Sequence, residues 1–240
     1  MKMIKEAIQY IVGLGNVDTT EIGNQVYSTQ MLHLVKEEKP SSLQIRSLSG
    51  LVDYVKSFFD ADELSTSRMV HVLSPSEVIV FSTFNRDYER NQYIKATAML
   101  PSFSFDNWYD SEEFNIKLQS AFVSNQDRNI MLKVVGNIRE DAVKTVGDYG
   151  VSQSVVAKTG ISTVDNVLVP NPVVLAPYRT FIEVVQPESE FIFRMKNGPK
   201  CALFEADGGA WKLVAMQRIK VYLEEALKEE IEAGNIVVIA

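Results

Sequence analysis

With 240 residues, 46% of them hydrophobic and 23% charged, the chain has the size and composition of a globular protein, which excludes bulk disorder. Its net charge of −7 scatters 24 basic residues among 31 acidic ones, which disfavours holding nucleic acid through phosphates but leaves room for a small anion. A single cysteine, Cys201, excludes an internal disulfide and a thiolate metal cluster within one chain.

Apolar residues at 3, 4, 7, 8, 11 and 12 recur at three and four, which predicts a helix ended by Gly13 and Gly15. Gly23-Asn24 between Ile22 and Val26 predicts a tight hairpin. The charged run Lys36 to Lys39, closed by Pro40, reads as a solvated loop. Leu43-Gln44-Ile45 alternates as a strand, and Ser47 is the expected cap of a helix bearing Leu48, Leu51, Val52, Val55 and Phe59.

A meander follows, with strands at Met69–Leu73, Val78–Phe81 and Tyr93–Met99. From Ser111 to about Ile138 the period is helical, with a break expected at Ser124 to Asp127. The remainder reads as strands at Ala142–Val146, Ser152–Thr159, Thr180–Val185, Glu190–Met195 and Cys201–Glu205. Gly147 to Gly150 is the expected loop of the first pair, and Asn197-Gly198-Pro199 a turn. A long amphipathic helix is expected from Ala210 to about Glu232, with Leu213, Met216, Ile219, Leu223 and Leu227 on its apolar face. The apolar tail Ile236 to Ile239 can add a strand, either at home or on a neighbour's sheet edge.

These elements predict an α+β fold with mixed or antiparallel sheets and packed helices. They form one globular unit over 1–240, divisible into a mixed half, 1–138, and a strand-rich half, 139–240. The residues from Met1 to Ala7 lack the pattern of a secretion signal, and no stretch approaches a membrane span, so the expectation is a cytosolic protein without membrane contact.

Residues for chemistry are sparse. His33 and His71 stand in alternating apolar stretches without a second ligand at metal spacing. Glu205 and Asp207 sit two apart at a strand end, a spacing that can hold Mg²⁺; the plainer reading is Asp207 capping the helix and Glu205 at an exposed strand end. Glu37-Glu38-Lys39 matches a nuclease-like E-x-K only formally, because it lies in a loop. The aromatic run Phe103 to Tyr109 can stack on bases but lacks basic neighbours, so core packing is the expectation. Cys201, in an apolar strand, reads as an inert buried thiol. The least bland cluster is Gly208-Gly209 ahead of a helix, with Arg194, Lys196, Lys200 and Lys212 as cations and Trp211 as an aromatic plate. It is the expected ligand site, against the alternative of a tight strand-to-helix turn. No catalytic residue, metal or cofactor is assigned.

Three runs in the second half resemble an uncharacterised family of proteins from temperate phages and prophages of Gram-positive bacteria. They are Val-Pro-Asn-Pro-Val-Val-Leu-Ala-Pro-Tyr-Arg-Thr-Phe (169–181), Gln-Pro-Glu-Ser-Glu-Phe-Ile-Phe-Arg-Met (186–195) and Leu-Phe-Glu-Ala-Asp-Gly-Gly-Ala-Trp-Lys (203–212). The likeness extends to residues 132–137 and 150–153. Enterobacterial prophage proteins of unknown function look like distant cousins. The resemblance implies expression in the cytoplasm of an infected bacterial cell, and no activity. Together these readings lead to a non-enzymatic, homo-oligomeric phage accessory protein that binds a host-defence protein or a small nucleotide signal. The rivals are a DNA-recombination or replication accessory factor, a self-assembling shell or ring protein and, last, a metal-dependent nuclease or phosphodiesterase.

Overall fold

The computed structural model describes residues 2–15, 19–22, 25–28, 39–57, 59–60, 67–85, 88–136, 145–148, 153–155, 171–196, 198 and 200–240. The chain divides into two units, Met1–Lys39 and Pro40–Ala240.

In the first unit, α1 (Lys2–Leu14) precedes β1 (Thr19–Ile22) and β2 (Gln25–Ser28). The two strands pair antiparallel with Ile22 opposite Gln25, and the expected turn residues Gly23 and Asn24 lie outside the described residues. Ile4, Ile8 and Ile11 share one stripe of α1, and each is more than half exposed.

The second unit runs β3 (Leu43–Ile45), α2 (Leu48–Ser57), β4 (Arg68–Ser74), β5 (Glu77–Phe84), β6 (Arg90–Thr97), β7 (Tyr109–Asp110), α3 (Ser111–Ala121) and α4 (Gln126–Gly136). It continues with β8 (Thr145–Asp148), β9 (Gln153–Val155), β10 (Val173–Leu175), β11 (Ser189–Lys196), β12 (Lys200–Glu205), α5 (Trp211–Ala226), α6 (Lys228–Glu232) and β13 (Ile236–Ile239). The fold is α+β, as the pattern predicts.

One sheet has the order β13-β4-β5-β6-β3, antiparallel through the meander and parallel at both edges. Alternation puts Val70, Val72, Val78, Val80, Ile94 and Ala96 on one face. There they pack with Leu48, Leu51 and Val55 of α2 and with Ile219 and Leu223 of α5. The Ser47 cap forms, its Oγ accepting from Gly50 N–H at 3.1 Å. Phe59 falls beyond the helix and is exposed.

The second sheet has the order β10-β11-β12-β7 and is antiparallel throughout. Its core joins Phe191, Phe193, Cys201 and Leu203 to Phe114 and Leu118 of α3 and Met131 and Val134 of α4. The predicted break between these helices is real: Asn125 Oδ1 accepts from Arg128 N–H at 2.9 Å. Both sheets draw on chain from either side of residue 138. β13 joins β3 to β6, and β7 joins β10 to β12.

Several expectations need correction. Thr180–Val185 is not a strand, because the Gln186 side chain takes over the bonds a ladder would supply. Its Oε1 accepts from Arg179 N–H at 2.9 Å and Thr180 N–H at 3.2 Å, and its Nε2 donates to the carbonyls of Phe181 (3.1 Å) and Val184 (3.3 Å). The long terminal helix is two helices, α5 and α6, parted at Leu227 with φ −108° and ψ 25°. Leu213, expected on its buried face, is exposed, while Ala215 is buried in its place. The hairpin β8–β9 forms with Gly147 and Asp148 inside β8 rather than in the loop. The tail Ile236–Ile239 pairs with β4 of its own sheet and buries Ile236 and Val238, so one ground for expecting a partner is removed. Among the described residues no helix is long and apolar enough to cross a membrane.

Candidate functional site

Between the two cores of the second unit lies a cavity of about 270 Å³. Its sides come from the β4–β5 turn (Ser74 to Ser76), the segment Leu100 to Phe105, the loop Pro177 to Arg179, and Trp211 and Lys212 at the start of α5. Loop and turn are tied directly, since Thr180 Oγ1 donates to the Pro75 carbonyl at 2.5 Å.

Arg179 organises this place. Only 7% exposed, it donates through Nη1 to Glu205 Oε1 at 2.7 Å and through Nη2 to Ser189 Oγ. Its guanidinium carbon stands 3.9 Å from the centre of the Trp211 ring, with the Phe191 and Phe105 rings at 5.5 and 5.8 Å. The β11–β12 register explains the convergence. Phe191 faces Glu205, so both point to one side of the sheet together with Ser189. Burial pulls the Arg179 proton affinity below its ordinary value, and the charges of Glu205 and Asp207 work in the opposite direction.

Asp207 builds the turn from β12 into α5. Its carboxylate accepts from Gly209 N–H at 3.0 Å and Trp211 N–H at 3.3 Å. Gly208 and Gly209 both take positive φ, +62° and +81°, a sequence of left-handed residues that favours glycine twice over. Burial raises the Asp207 affinity for a proton. Hydrogen bonds from Gly209, Ser189 and Trp211 and the Arg179 charge outweigh it, so the carboxyl sits below its ordinary range. The plainer reading of Gly208-Gly209, a tight strand-to-helix turn, describes this geometry, but the N-cap of α5 is Ala210 without a side-chain cap, and Asp207 braces the turn ahead of it. Glu205 is not simply an exposed strand end, since it holds Arg179.

Two donors remain open. Arg179 Nε and Trp211 Nε1 are both buried and neither has a hydrogen-bond partner. A buried donor left unpaired costs about 1–3 kcal/mol.

The predicted ligand cluster divides. Trp211 and Lys212 line the cavity, and Gly208 and Gly209 form the turn beneath them. Arg194, Lys196 and Lys200 occupy even positions of β11 and β12, on the sheet face opposite Glu205 and Phe191. There Lys196 Nζ lies 4.2 Å from the Trp108 ring centre. The residues missed from sequence are Arg179, Ser189 and Glu205 as Arg179's partner. No local pattern in the sequence signals them, because Arg179, Ser189 and Glu205 meet only through the loop and the β11–β12 register.

Elsewhere, His71 sits on β4 with its ring 6.5 Å from Phe81. His33, Glu37 and Glu38 lie outside the described residues. Three residues of the aromatic run pack as core, Phe103 against Phe105, Tyr109 and Phe122 at 4.9 to 5.3 Å and Phe105 stacked on Phe191, whereas Trp108 packs on Phe204 with Lys196 as the basic neighbour the run was not expected to have. Cys201 is fully buried, which pushes its thiol up to about 12. Among the described residues no group of three His, Cys, Asp or Glu is placed to hold a metal.

No protein-family model, curated protein or solved structure matches this chain.

Proposed function

We propose that the protein acts by binding, and that the cavity beside Arg179 receives a compact, acceptor-bearing group of a small ligand. The observation that carries this is the pair of buried donors, Arg179 Nε and Trp211 Nε1, on two residues that line one cavity. Acidic groups nearby are already engaged, Glu205 by Arg179 and Asp207 by the turn. What the site still offers is donors, an aromatic plate and the Lys212 ammonium. A bridging water or a small turn of the Trp211 ring would bring an acceptor in the cavity to these N–H groups.

Size narrows the ligand. The cavity falls just short of the ~300–1,000 Å³ usual for drug-sized molecules, so it holds one ring or one phosphate or carboxylate, with the rest outside. A nucleotide fits that description, in keeping with a phage accessory protein that sequesters a nucleotide signal of host defence. Thermal unfolding with AMP, GMP and cyclic dinucleotides tests the reading, alongside mass spectrometry of molecules released on heating protein purified from cells. A bound ligand raises the midpoint, and Trp211→Phe, which removes the indole donor, weakens the shift. If no nucleotide shifts the midpoint and nothing is released, the site is not a ligand site.

The protein works as a homo-oligomer in this proposal, and α1 supports that better than the tail does. Numbering Ile4 and Ile11 as positions a of a heptad places Ala7 at d and Ile8 at e, with Lys5 and Glu6 kept to b and c. A unit of about 40 residues, without a cysteine to cross-link it, generally needs association to hold its fold.

A further inference from the structure

A second cavity, of about 180 Å³, opens at the end of the β13–β4–β5 ladder, away from the Arg179 site. Two arginines line it, Arg68 and Arg90, together with Ser82, Thr83 and Gly234 to Val237, and among the described residues no carboxylate does. Arg68 is at the first position of β4, opposite Ser82 on one side and Ile236 on the other. Alternation turns its side chain to the same face as Val70 and Val72, which is why only 7% of it is exposed. Its backbone is satisfied, N–H to the Asn235 carbonyl at 2.8 Å, but its Nε is buried without an acceptor. The Tyr54 hydroxyl, close enough to feel the Arg68 charge, donates to Asp60. Arg90 is held rather than free: Nη1 donates to the Ser82 carbonyl at 3.0 Å, and the guanidinium lies 4.0 Å over the Phe84 ring.

A buried guanidinium with an open N–H, lining the same cavity as a second guanidinium, is stabilised when an anionic acceptor enters. Planar forks of this kind match tetrahedral and carboxylate oxyanions, to which they donate in pairs. We infer that the Arg68–Arg90 cavity is an oxyanion site, sized for a phosphate group. The chain thereby holds a local cationic pocket despite its overall negative charge.

The test is thermal unfolding of the full chain in increasing inorganic phosphate, against sodium chloride of matched ionic strength, with methyl phosphate as a parallel arm. The midpoint rises with phosphate beyond the chloride control. A matching rise with methyl phosphate shows that the cavity takes an ester as well as the free ion. Arg68→Met removes the buried charge, so it unfolds no more easily than the parent in phosphate-free buffer, yet loses the phosphate response. Arg90→Gln, on the more accessible residue, weakens that response without depending on how Arg68→Met folds. The Arg179 cavity can also take phosphate, so the titration is repeated in Trp211→Phe, where the rise persists. A response no larger than chloride gives, or one that survives in both arginine variants, overturns the assignment. So does a response lost in Trp211→Phe alone, which places the phosphate in the other cavity.

Discussion

Arg179 holds together residues that lie far apart in the chain. It joins a loop, two strands and the start of a helix through Glu205, Ser189 and Trp211, and the partners are interdependent. Asp207 is the clearest case, because its carboxyl is held below the ordinary range by donors that exist only in the folded chain. A group whose folded value is depressed stabilises the fold above its unfolded value, ~3.9 for Asp, and that contribution disappears as the pH falls through the folded value. Unfolding free energy measured by urea between pH 2 and 6 is therefore expected to fall toward acid with a shallower slope in Asp207→Asn than in the parent. Equal slopes would mean that the turn does not depend on the Asp207 charge.

At the scale of elements, the Gln186 side chain has displaced a strand. Thr180 to Val185 carries β-branched and aromatic residues and reads as a strand from local pattern. A side-chain amide six residues away satisfies the backbone instead, and no periodicity encodes that. Replacing Gln186 by Ala leaves the buried N–H groups of Arg179 and Thr180 without acceptors, for an expected loss of about 3 kcal/mol in a chemical melt. A loss within a few tenths of a kcal/mol would show that water replaces the amide freely. The meander, the helix pair α3–α4 and the strands β11 and β12 were legible because alternation and caps are local signals. The site was legible only in part. Gly208, Gly209, Trp211 and Lys212 announce a turn and a cation, whereas Arg179 looks like any loop arginine until the β11–β12 register brings Glu205 and Ser189 beside it. Arg194, Lys196 and Lys200 misled for the converse reason: near in sequence, they leave on the opposite face.

For the whole molecule, the feature that bears on assembly is the apolar stripe of α1, Ile4, Ile8 and Ile11, each more than half exposed. An isolated helix of 13 residues is marginal in water, and a two-stranded hairpin adds little support. The association of copies proposed above would support both. Sedimentation of the parent at micromolar concentration should give a mass that is a multiple of 27.0 kDa, and Ile8→Glu with Ile11→Glu should return it to one chain. Gln9→Glu, on the polar side, should change nothing. A parent that sediments as a single chain would end the proposal.

The parallel ladder between β13 and β4 also bears on how the protein reaches its fold. Ile236 meets Arg68 across most of the polypeptide, so this pairing is closed by one of the longest loops the topology contains. The meander can collapse first, leaving β4 as an open template until β13 arrives. Refolding from denaturant is thus expected to be slow, and to lose material to aggregation as concentration rises, because a neighbouring chain can occupy the vacant edge sooner than the protein's own strand does.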